Sequence, residues 1–267
     1  TSIGVALYPD HGDDLAGVLR CADLAMYMAK EHRLGVQLYG PRDARRTLLR
    51  ARTTAELGYA LANGQLELHY QPQADMVDGR VRRVEALLRW RHPSRGLLLP
   101  EVFVPLAESA GLIRPISRWA LRAALTQVCR WRAAGLQVAV ALNASARDLR
   151  DPDFAPSVAA ALAELGLPPS ALVLEVTEQV MLDETAATAE ALRSLADLGV
   201  LVSLDDFGTG TVSLEALRRL PLGELKVDRT VVGRMAGGSR EADFVRAVVR
   251  LGSELRLRGG AQGGGAG

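Results

Sequence analysis

From residue 55 onward, short apolar runs alternate with longer helical stretches, and this alternation restricts the fold more than any other feature of the sequence. The apolar runs predict strands at Leu66–Tyr70, Val81–Leu88, Val138–Leu142, Leu172–Val176, Leu201–Leu204 and Glu224–Val227. Helices are predicted at Phe103–Ala110, Ile116–Ala134, Phe154–Leu165, Thr185–Leu198 and Val212–Arg219. Such alternation is typical of parallel strands joined by right-handed crossovers, hence of an open α/β sheet or a barrel. Since no glycine-rich nucleotide fingerprint follows the first strand, the sequence favours a TIM-like (β/α) barrel.

The composition is that of an ordinary globular chain, and it argues against some classes of partner. The 267 residues include 32 Lys plus Arg and 31 Asp plus Glu, a balance that predicts neither a nucleic-acid polymer nor an anionic membrane surface as partner. No apolar run is long enough to predict a membrane segment in this chain. The two cysteines, Cys21 and Cys129, make no metal-ligand spacing and favour a reducing compartment. We expect a cytoplasmic protein, or the cytoplasmic part of a longer membrane-anchored sensor.

The first 54 residues are predicted to form a separate, smaller part of the chain. Residues 1–40 contain a predicted strand at Ser2–Ala6, a helix at Leu15–His32 and a strand at Val36–Tyr39. An α/β fragment of this size cannot bury a useful core alone, so we expect it to be the end of a larger domain whose beginning is missing. Position 1 is not Met, which fits this expectation. Residues 41–54 are rich in Arg and Ala and predict a helical connector.

Two adjacent carboxylates follow the fifth strand, in the segment Asp205-Asp206-Phe207-Gly208-Thr209-Gly210. Carboxylates at the mouth of a buried strand repel each other and lose hydration unless a positive charge lies between them. A divalent metal ion commonly supplies that charge. The alternative is a strand-ending Asx turn that faces solvent.

Other predicted strands also end in polar side chains, and in a parallel barrel these ends meet at one face. The residues concerned are Glu85, Asn143 and Ser145, Glu175 and Glu178, Asp205 and Asp206, and Lys226 and Asp228. A ligand set made of oxygen atoms suits Mg²⁺ or Mn²⁺ better than Zn²⁺, and a pair of such ions is suited to phosphodiester hydrolysis. Lys226 could orient the attacking water, or it could pair with Asp228 in a structural role. A metal enzyme with another substrate also fits this pattern.

Several motifs in order resemble the EAL domain, the bacterial cyclic-di-GMP phosphodiesterase module. The resemblance covers residues 55–257 and rests on Tyr70-Gln71-Pro72, Glu85-Ala86-Leu87, Arg91-His92-Pro93, Asn143-Ala144-Ser145, Glu175-Val176-Thr177-Glu178, Asp205–Gly210 and Leu225–Arg229. Residues 1–40 likewise resemble the end of a GGDEF (diguanylate cyclase) domain, through Ser2–Ala6 and Ala22–Lys30. The GGDEF motif itself is absent, so this chain is not expected to make cyclic-di-GMP.

The resemblance implies a two-metal hydrolase that converts cyclic-di-GMP to linear pGpG. It implies first-metal ligands at Glu85, Asn143, Glu175 and Asp205, and a second-metal ligand at Asp206. Lys226 would contact the attacking water, so that Lys226, Glu85 and Asp205 form the catalytic set. The dinucleotide would be bound by Gln71, Arg89 and Asp228. Glu178 would hold the loop after Asp206. A homodimer through the EAL domain is also implied.

The C-terminus departs from the family pattern. After Leu257 the family continues with two further strands, whereas this chain continues with Arg258 and a glycine-rich tail. We expect residues 258–267 to lie outside the fold, as a truncated or out-of-frame end, and the barrel to stop after six strands. Such an arc would have two open edges, low stability and impaired activity. The alternative to a phosphodiesterase is an inactive EAL relic that binds cyclic-di-GMP or a protein partner.

Overall fold

We analysed a computed structural model of the chain. It describes residues 2–31, 34–74, 78–178, 180, 185–208, 214–234, 240–255 and 257–261. The chain separates into two compact units. One contains residues 1–63 together with 101–110, and the other contains residues 64–100 together with 111–267.

The smaller unit begins with a strand–helix–strand element. Strands β1 (Ile3–Val5) and β2 (Val36–Leu38) pair in parallel, and α1 (Leu15–Glu31) connects them. Ala25 and Ala29 of α1 are fully buried, so α1 packs closely through its small side chains. Helix α2 spans Pro41–Ala62, with proline in its first turn, where its missing N–H is tolerated. It therefore runs past the predicted connector boundary at Thr54. Helix α3 (Pro100–Ser109) also belongs to this unit.

The larger unit is built on an eight-stranded sheet. Its strands are β3 (Leu66–Ala74), β4 (Val81–His92), β5 (Gly96–Leu98), β6 (Ala139–Asn143), β7 (Leu172–Thr177), β8 (Leu201–Phe207), β9 (Glu224–Val227) and β10 (Arg258–Ala261). The order along the sheet is β10-β9-β8-β7-β6-β4-β3, and β5 pairs with β4. From β4 through β10, neighbours in this order are parallel. This topology agrees with the predicted α/β fold with a parallel sheet.

Helices connect these strands. They are α4 (Ile113–Ala133), α5 (Ala146–Leu149), α6 (Phe154–Glu164), α7 (Ala186–Leu198), α8 (Leu214–Arg219), α9 (Arg229–Gly233) and α10 (Arg240–Glu254), with a 3₁₀ turn at Pro169–Ala171. Within the described part of the chain, none of the helices combines the length and apolar character needed to cross a bilayer.

Side-chain alternation along the strands separates an apolar core from a polar face. In β7, Leu172, Leu174 and Val176 belong to the main hydrophobic core. Because side chains in a strand alternate between faces, Glu175 lies on the opposite face. The same period of two separates Val202 and Leu204 from Asp205 in β8. In β9 it separates Leu225 and Val227 from Glu224 and Lys226. The apolar pattern that forms the core therefore also collects the charged side chains on one face.

The first two barrel strands differ from the predicted all-parallel arrangement. Strands β3 and β4 are antiparallel, with Gln71 opposite Glu85. The reason is the connection between them, residues 75–80, which is too short for a parallel crossover. The short strand β5 was not predicted, and it pairs antiparallel with the end of β4.

The prediction that residues 258–267 lie outside the fold is wrong for residues 258–261. These residues form β10, which pairs in parallel with β9, with Gly260 opposite Lys226. The sheet therefore continues beyond the six predicted strands. Ladder bonds come from the backbone, so a strand rich in glycine can pair even though it offers few side chains for packing. Residues 262–267 lie outside the described part of the chain, and the predicted low stability remains a prediction.

We predict that valine at position 260 destabilises the fold, whereas valine at position 259 does not. A Cβ atom at Gly260 would lie 3.0 Å from Lys226 Cγ, but a Cβ at Gly259 would meet nothing within 4 Å. Gly260→Val should lower the free energy of unfolding by about 1–3 kcal/mol, the range for overpacking. Gly259→Val should leave it unchanged or raise it, since valine favours strands. Urea unfolding measures both, and equal effects would contradict the pairing of β10.

Candidate functional site

Three carboxylates from three strands converge on the polar face of the sheet. One oxygen each from Glu85 in β4, Glu175 in β7 and Asp205 in β8 lie within 4.8 Å of one another. All three residues are buried, and Glu175 is completely inaccessible to solvent. The alternative of a solvent-facing turn at Asp205 is therefore wrong. Like charges this close are unfavourable unless protons or cations neutralise part of the charge.

Lys226 supplies positive charge at the centre of the cluster. Its ammonium group contacts Glu175 Oε1 and lies 3.9 Å from Asp205 Oδ2. Lys226 is itself buried, and its ion-pair partners are the clustered carboxylates. The interpretation in which Lys226 pairs with Asp228 is therefore wrong. A second ion pair on the polar face joins Arg83 of β4 to Glu224 of β9.

Two side-chain amides complete the surroundings of Glu85. Asn143 Nδ2 donates a hydrogen bond to Glu85 Oε1 at 3.3 Å. Gln73 Nε2 donates to Glu85 Oε2 at 3.2 Å and to Glu175 Oε1 at 3.5 Å. Asn143 was predicted as a site residue, but Gln73 was not. The signal that could have identified Gln73 is its position two residues after Gln71 on the same face of β3.

Burial and mutual repulsion change the protonation of the cluster. Burial, opposed by Lys226 and reinforced by the nearby Glu85 and Asp205, raises the pKa of Glu175 to about 7. Burial also raises the pKa of Asp205. Burial disfavours the charged form of Lys226, but Glu175 and Asp205 outweigh it and raise the pKa of the ammonium group. Near neutral pH, the ion-free cluster therefore shares a proton among its carboxylates.

Asp206 has an unusual backbone conformation at the end of β8. Its φ of 56° lies in the left-handed region, which is uncommon for residues other than glycine. Burial, together with the negative charges of Asp205 and Asp228, raises the pKa of Asp206 to about 6. Asp228 accepts a hydrogen bond from Thr230 N at 2.7 Å and so caps α9. Asp206 and Asp228 thus form a second acidic pair beside the main cluster.

The turn after Asp206 is fixed by Glu178 and by an aromatic contact. Gly208 N donates a hydrogen bond to Glu178 Oε1 at 3.0 Å, the contact expected of a residue that holds this loop. Gly208 has a φ of 104°, and a Cβ atom there would lie 2.8 Å from the Phe244 ring. Phe244 of α10 also stacks on Phe207, with ring centroids 6.3 Å apart. Thr209 and Gly210 of the predicted turn lie outside the described residues.

Two of the predicted substrate-binding residues, Gln71 and Arg89, lie on strands β3 and β4. Gln71 is exposed on β3, and its ladder partner on β4 is Glu85. Arg89, which is partly buried, donates a hydrogen bond to the carbonyl oxygen of Leu88 at 2.8 Å. Both residues lie on the same face of the β3–β4 pair as Glu85, because residues at even spacing along a strand share a face.

The donor set of the cluster fits a divalent metal ion. Its charged donors are carboxylate oxygens, and the amide of Asn143 adjoins them. Glu175 Oε2 is buried and receives no hydrogen bond from the described residues. A buried acceptor without a donor is costly, and a bound cation would satisfy it. The three carboxylates could therefore hold a metal ion.

Comparisons with known proteins identify the family to which the chain belongs. The profile of the EAL domain matches residues 54–263. "Cyclic di-GMP phosphodiesterase NbdA" of Pseudomonas aeruginosa is 39% identical over 98% of this chain and 34% of its own length. "Bifunctional diguanylate cyclase/cyclic di-GMP phosphodiesterase MucR" of the same organism is 40% identical over 98% of this chain and 38% of its own length. The chain therefore spans about a third of the length of these relatives.

A solved structure agrees with the sequence comparison. The structure described as "PaMucR Phosphodiesterase, c-di-GMP complex" superimposes with a TM-score of 0.76 and is 42% identical. The match covers 80% of this chain and 87% of that chain. At this identity and coverage, the larger unit and that protein share one architecture.

We predict that Lys226→Met destabilises the ion-free protein. Removing one partner of a buried ion pair leaves an uncompensated charge, which costs about 3–5 kcal/mol. The loss should be largest well above pH 7 and shrink as the pH falls toward 7, because without Lys226 the pKa of Glu175 lies above about 7 and its protonation removes the uncompensated charge. Denaturant unfolding in the presence of a chelator measures the effect. Lys30→Met, at an exposed lysine of α1, is the control and should change stability little. Equal stability of the two variants would contradict the role of Lys226 in charge compensation.

Proposed function

This chain belongs to the EAL domain family, and from that premise we propose that it hydrolyses cyclic-di-GMP to linear pGpG. The observation that carries the proposal is the buried cluster of Glu85, Glu175 and Asp205 around Lys226. The named activities of the relatives and the dinucleotide bound in the related structure support the choice of substrate.

We propose a two-metal site that takes Mg²⁺ or Mn²⁺. Glu85, Asn143, Glu175 and Asp205 would hold the first ion, and Asp206 would bind the second, supported by its position beside the cluster. Bound divalent ions would lower the pKa of a water molecule, which makes it a better nucleophile, and would offset negative charge on the phosphoryl group. Hard oxygen ligands and the absence of His or Cys from the cluster favour these ions over Zn²⁺.

The reaction assigned to this site forms one bond and breaks another at phosphorus. The oxygen of water bonds to phosphorus while a bridging ribose oxygen leaves, so the ring opens to a linear dinucleotide. Lys226, held between Glu175 and Asp205, would orient the attacking water and stabilise the negative charge that develops on oxygen. Glu178 would act indirectly, because it fixes the backbone next to Asp206 through Gly208.

Gln71, Arg89 and Asp228 are proposed to bind the dinucleotide. Gln71 and Arg89 lie on the same face of the sheet as Glu85, so they can line one approach to the cluster. The guanidinium group of Arg89 can donate two parallel hydrogen bonds to a phosphate. Asp228 lies beside Asp206, on the opposite side of the cluster from β3.

We also propose that residues 1–40 are the end of a GGDEF domain. The similarity to a bifunctional cyclase and phosphodiesterase over 98% of this chain supports this proposal, since so long a match includes most of the N-terminal unit. By resemblance to the family, we further propose a cytoplasmic location and a homodimer that forms through the EAL domain. Size-exclusion chromatography with light scattering would test the dimer.

We predict metal-dependent hydrolysis of cyclic-di-GMP that depends on Asp205. Asp205→Asn keeps the shape of the side chain but removes a charged ligand oxygen, so kcat should fall by at least about a hundredfold. Loss of a group that only hydrogen-bonds a metal ligand costs up to about a hundredfold, so loss of a ligand oxygen itself should cost at least as much. Chromatographic detection of pGpG in the presence of Mn²⁺ measures the rate.

The control for this experiment is Asp197→Asn, the same change at an exposed position of α7. It should leave the rate unchanged. Turnover that survives Asp205→Asn would contradict the proposed site. A parent chain that binds the dinucleotide but does not hydrolyse it would favour the inactive relic.

Metal affinity should increase with pH between 5.5 and 7.5. A metal ion binds ionised carboxylates, and in the ion-free protein Glu175 has a pKa of about 7 and Asp206 a pKa of about 6. Below these values the ion must displace protons, whereas above them it need not. We expect a roughly tenfold or larger gain in Mn²⁺ affinity across this range. Calorimetric titration in buffers of different ionisation enthalpy would detect the released protons. A Mn²⁺ affinity that does not change with pH would contradict a proton shared among the carboxylates of the ion-free cluster.

A further inference from the structure

Gln73 joins two carboxylates of the cluster through a single nitrogen atom. Its Nε2 lies 3.2 Å from Glu85 Oε2 and 3.5 Å from Glu175 Oε1. A side-chain amide nitrogen carries two hydrogens, so it can donate to both oxygens at once.

The strand register brings Gln73 within reach of the cluster. Gln71 is directly opposite Glu85, and Gln73 is the diagonal neighbour two residues further along β3. Diagonal neighbours on one face lie about 7–8 Å apart, within reach of a long side chain. Gln73 is half-buried and extends to Glu85, whereas Gln71 is exposed. Two glutamines on the same face thus have different surroundings.

The amide of Gln73 complements the other donors of the cluster. Glu85 accepts hydrogen bonds on both oxygens, from Asn143 on Oε1 and from Gln73 on Oε2. Glu175 Oε1 contacts Lys226 and Gln73, which leaves Glu175 Oε2 as the atom without a described donor. Gln73 therefore restrains the rotation of Glu85 and Glu175 without adding charge.

We propose that Gln73 is a positioning residue for the metal centre, holding the Glu85 and Glu175 carboxylates in the orientation that binds the ion. This inference rests on the proposed function and assigns a further residue to it. Groups that hydrogen-bond metal ligands typically change metal affinity by about 10- to 100-fold when they are lost. The edge strand β3 would thereby contribute to metal binding although none of the clustered carboxylates lies on it.

The test is Mn²⁺ binding to the ion-free protein, without nucleotide, by isothermal titration calorimetry. Gln73→Met keeps the length of the side chain and removes the donor, so Mn²⁺ should bind about 10- to 100-fold more weakly. With Mn²⁺ at saturation, the KM for cyclic-di-GMP should stay the same. The matched control is Gln71→Met, on the same strand and face, which should leave Mn²⁺ affinity unchanged. Circular dichroism would verify that both variants fold.

The possible outcomes are distinguishable. Parent-like Mn²⁺ affinity in Gln73→Met would overturn the positioning role, and so would an equal loss in Gln71→Met. If the parent chain itself binds no Mn²⁺, the proposed metal site fails, and the role of Gln73 fails with it. Normal binding by the parent with weakened binding only in Gln73→Met is the expected result.

Discussion

Electrostatic compensation among buried groups is the constraint on which the larger unit depends. Glu85, Glu175 and Asp205 approach one another in a region from which water is largely excluded, where unbalanced charge is expensive. Lys226 and a shared proton balance part of that charge in the ion-free state. If all three carboxylates are ionised, Lys226 leaves two negative charges uncompensated, and this deficit favours a divalent metal ion. Since the charged groups come from β4, β7, β8 and β9, the balance requires that these strands keep their order.

The acidic cluster and its flanking turn are held by different means. The clustered carboxylates extend from regular strands whose other face packs in the hydrophobic core, so their backbone positions are set by the sheet. Asp206 instead lies where β8 ends, in a left-handed conformation, and its neighbours are held by Glu178 and Phe244. Changes in side chains distant from the carboxylates can therefore affect Asp206 while leaving Glu85 and Glu175 in place. This separation suits a site in which two ions have unequal surroundings.

Much of the fold and the site could be predicted, because both follow from patterns that are local in sequence. Short apolar runs between helical stretches identified β7, β8 and β9, and the carboxylates in or after these runs identified Glu175 and Asp205. Strand β10 was missed because its stability comes from backbone pairing, which leaves no apolar pattern in Gly259 and Gly260. The spacing from Gln71 could place Gln73 on the polar face, but its contacts with Glu85 and Glu175 depend on how β3, β4 and β7 pack together, which the sequence pattern does not encode.

The composition of β10 has a consequence for how the sheet is assembled. An apolar strand is aligned by the side chains that enter the core, but a strand of Arg258, two glycines and Ala261 has little to align it, so it could slide along β9 with small loss of packing. A two-residue displacement toward the C-terminus of β9 would bring the cationic Arg258 next to the Lys226 ammonium group, and this repulsion disfavours that alignment. Lys226 therefore restricts where its neighbouring strand β10 can pair.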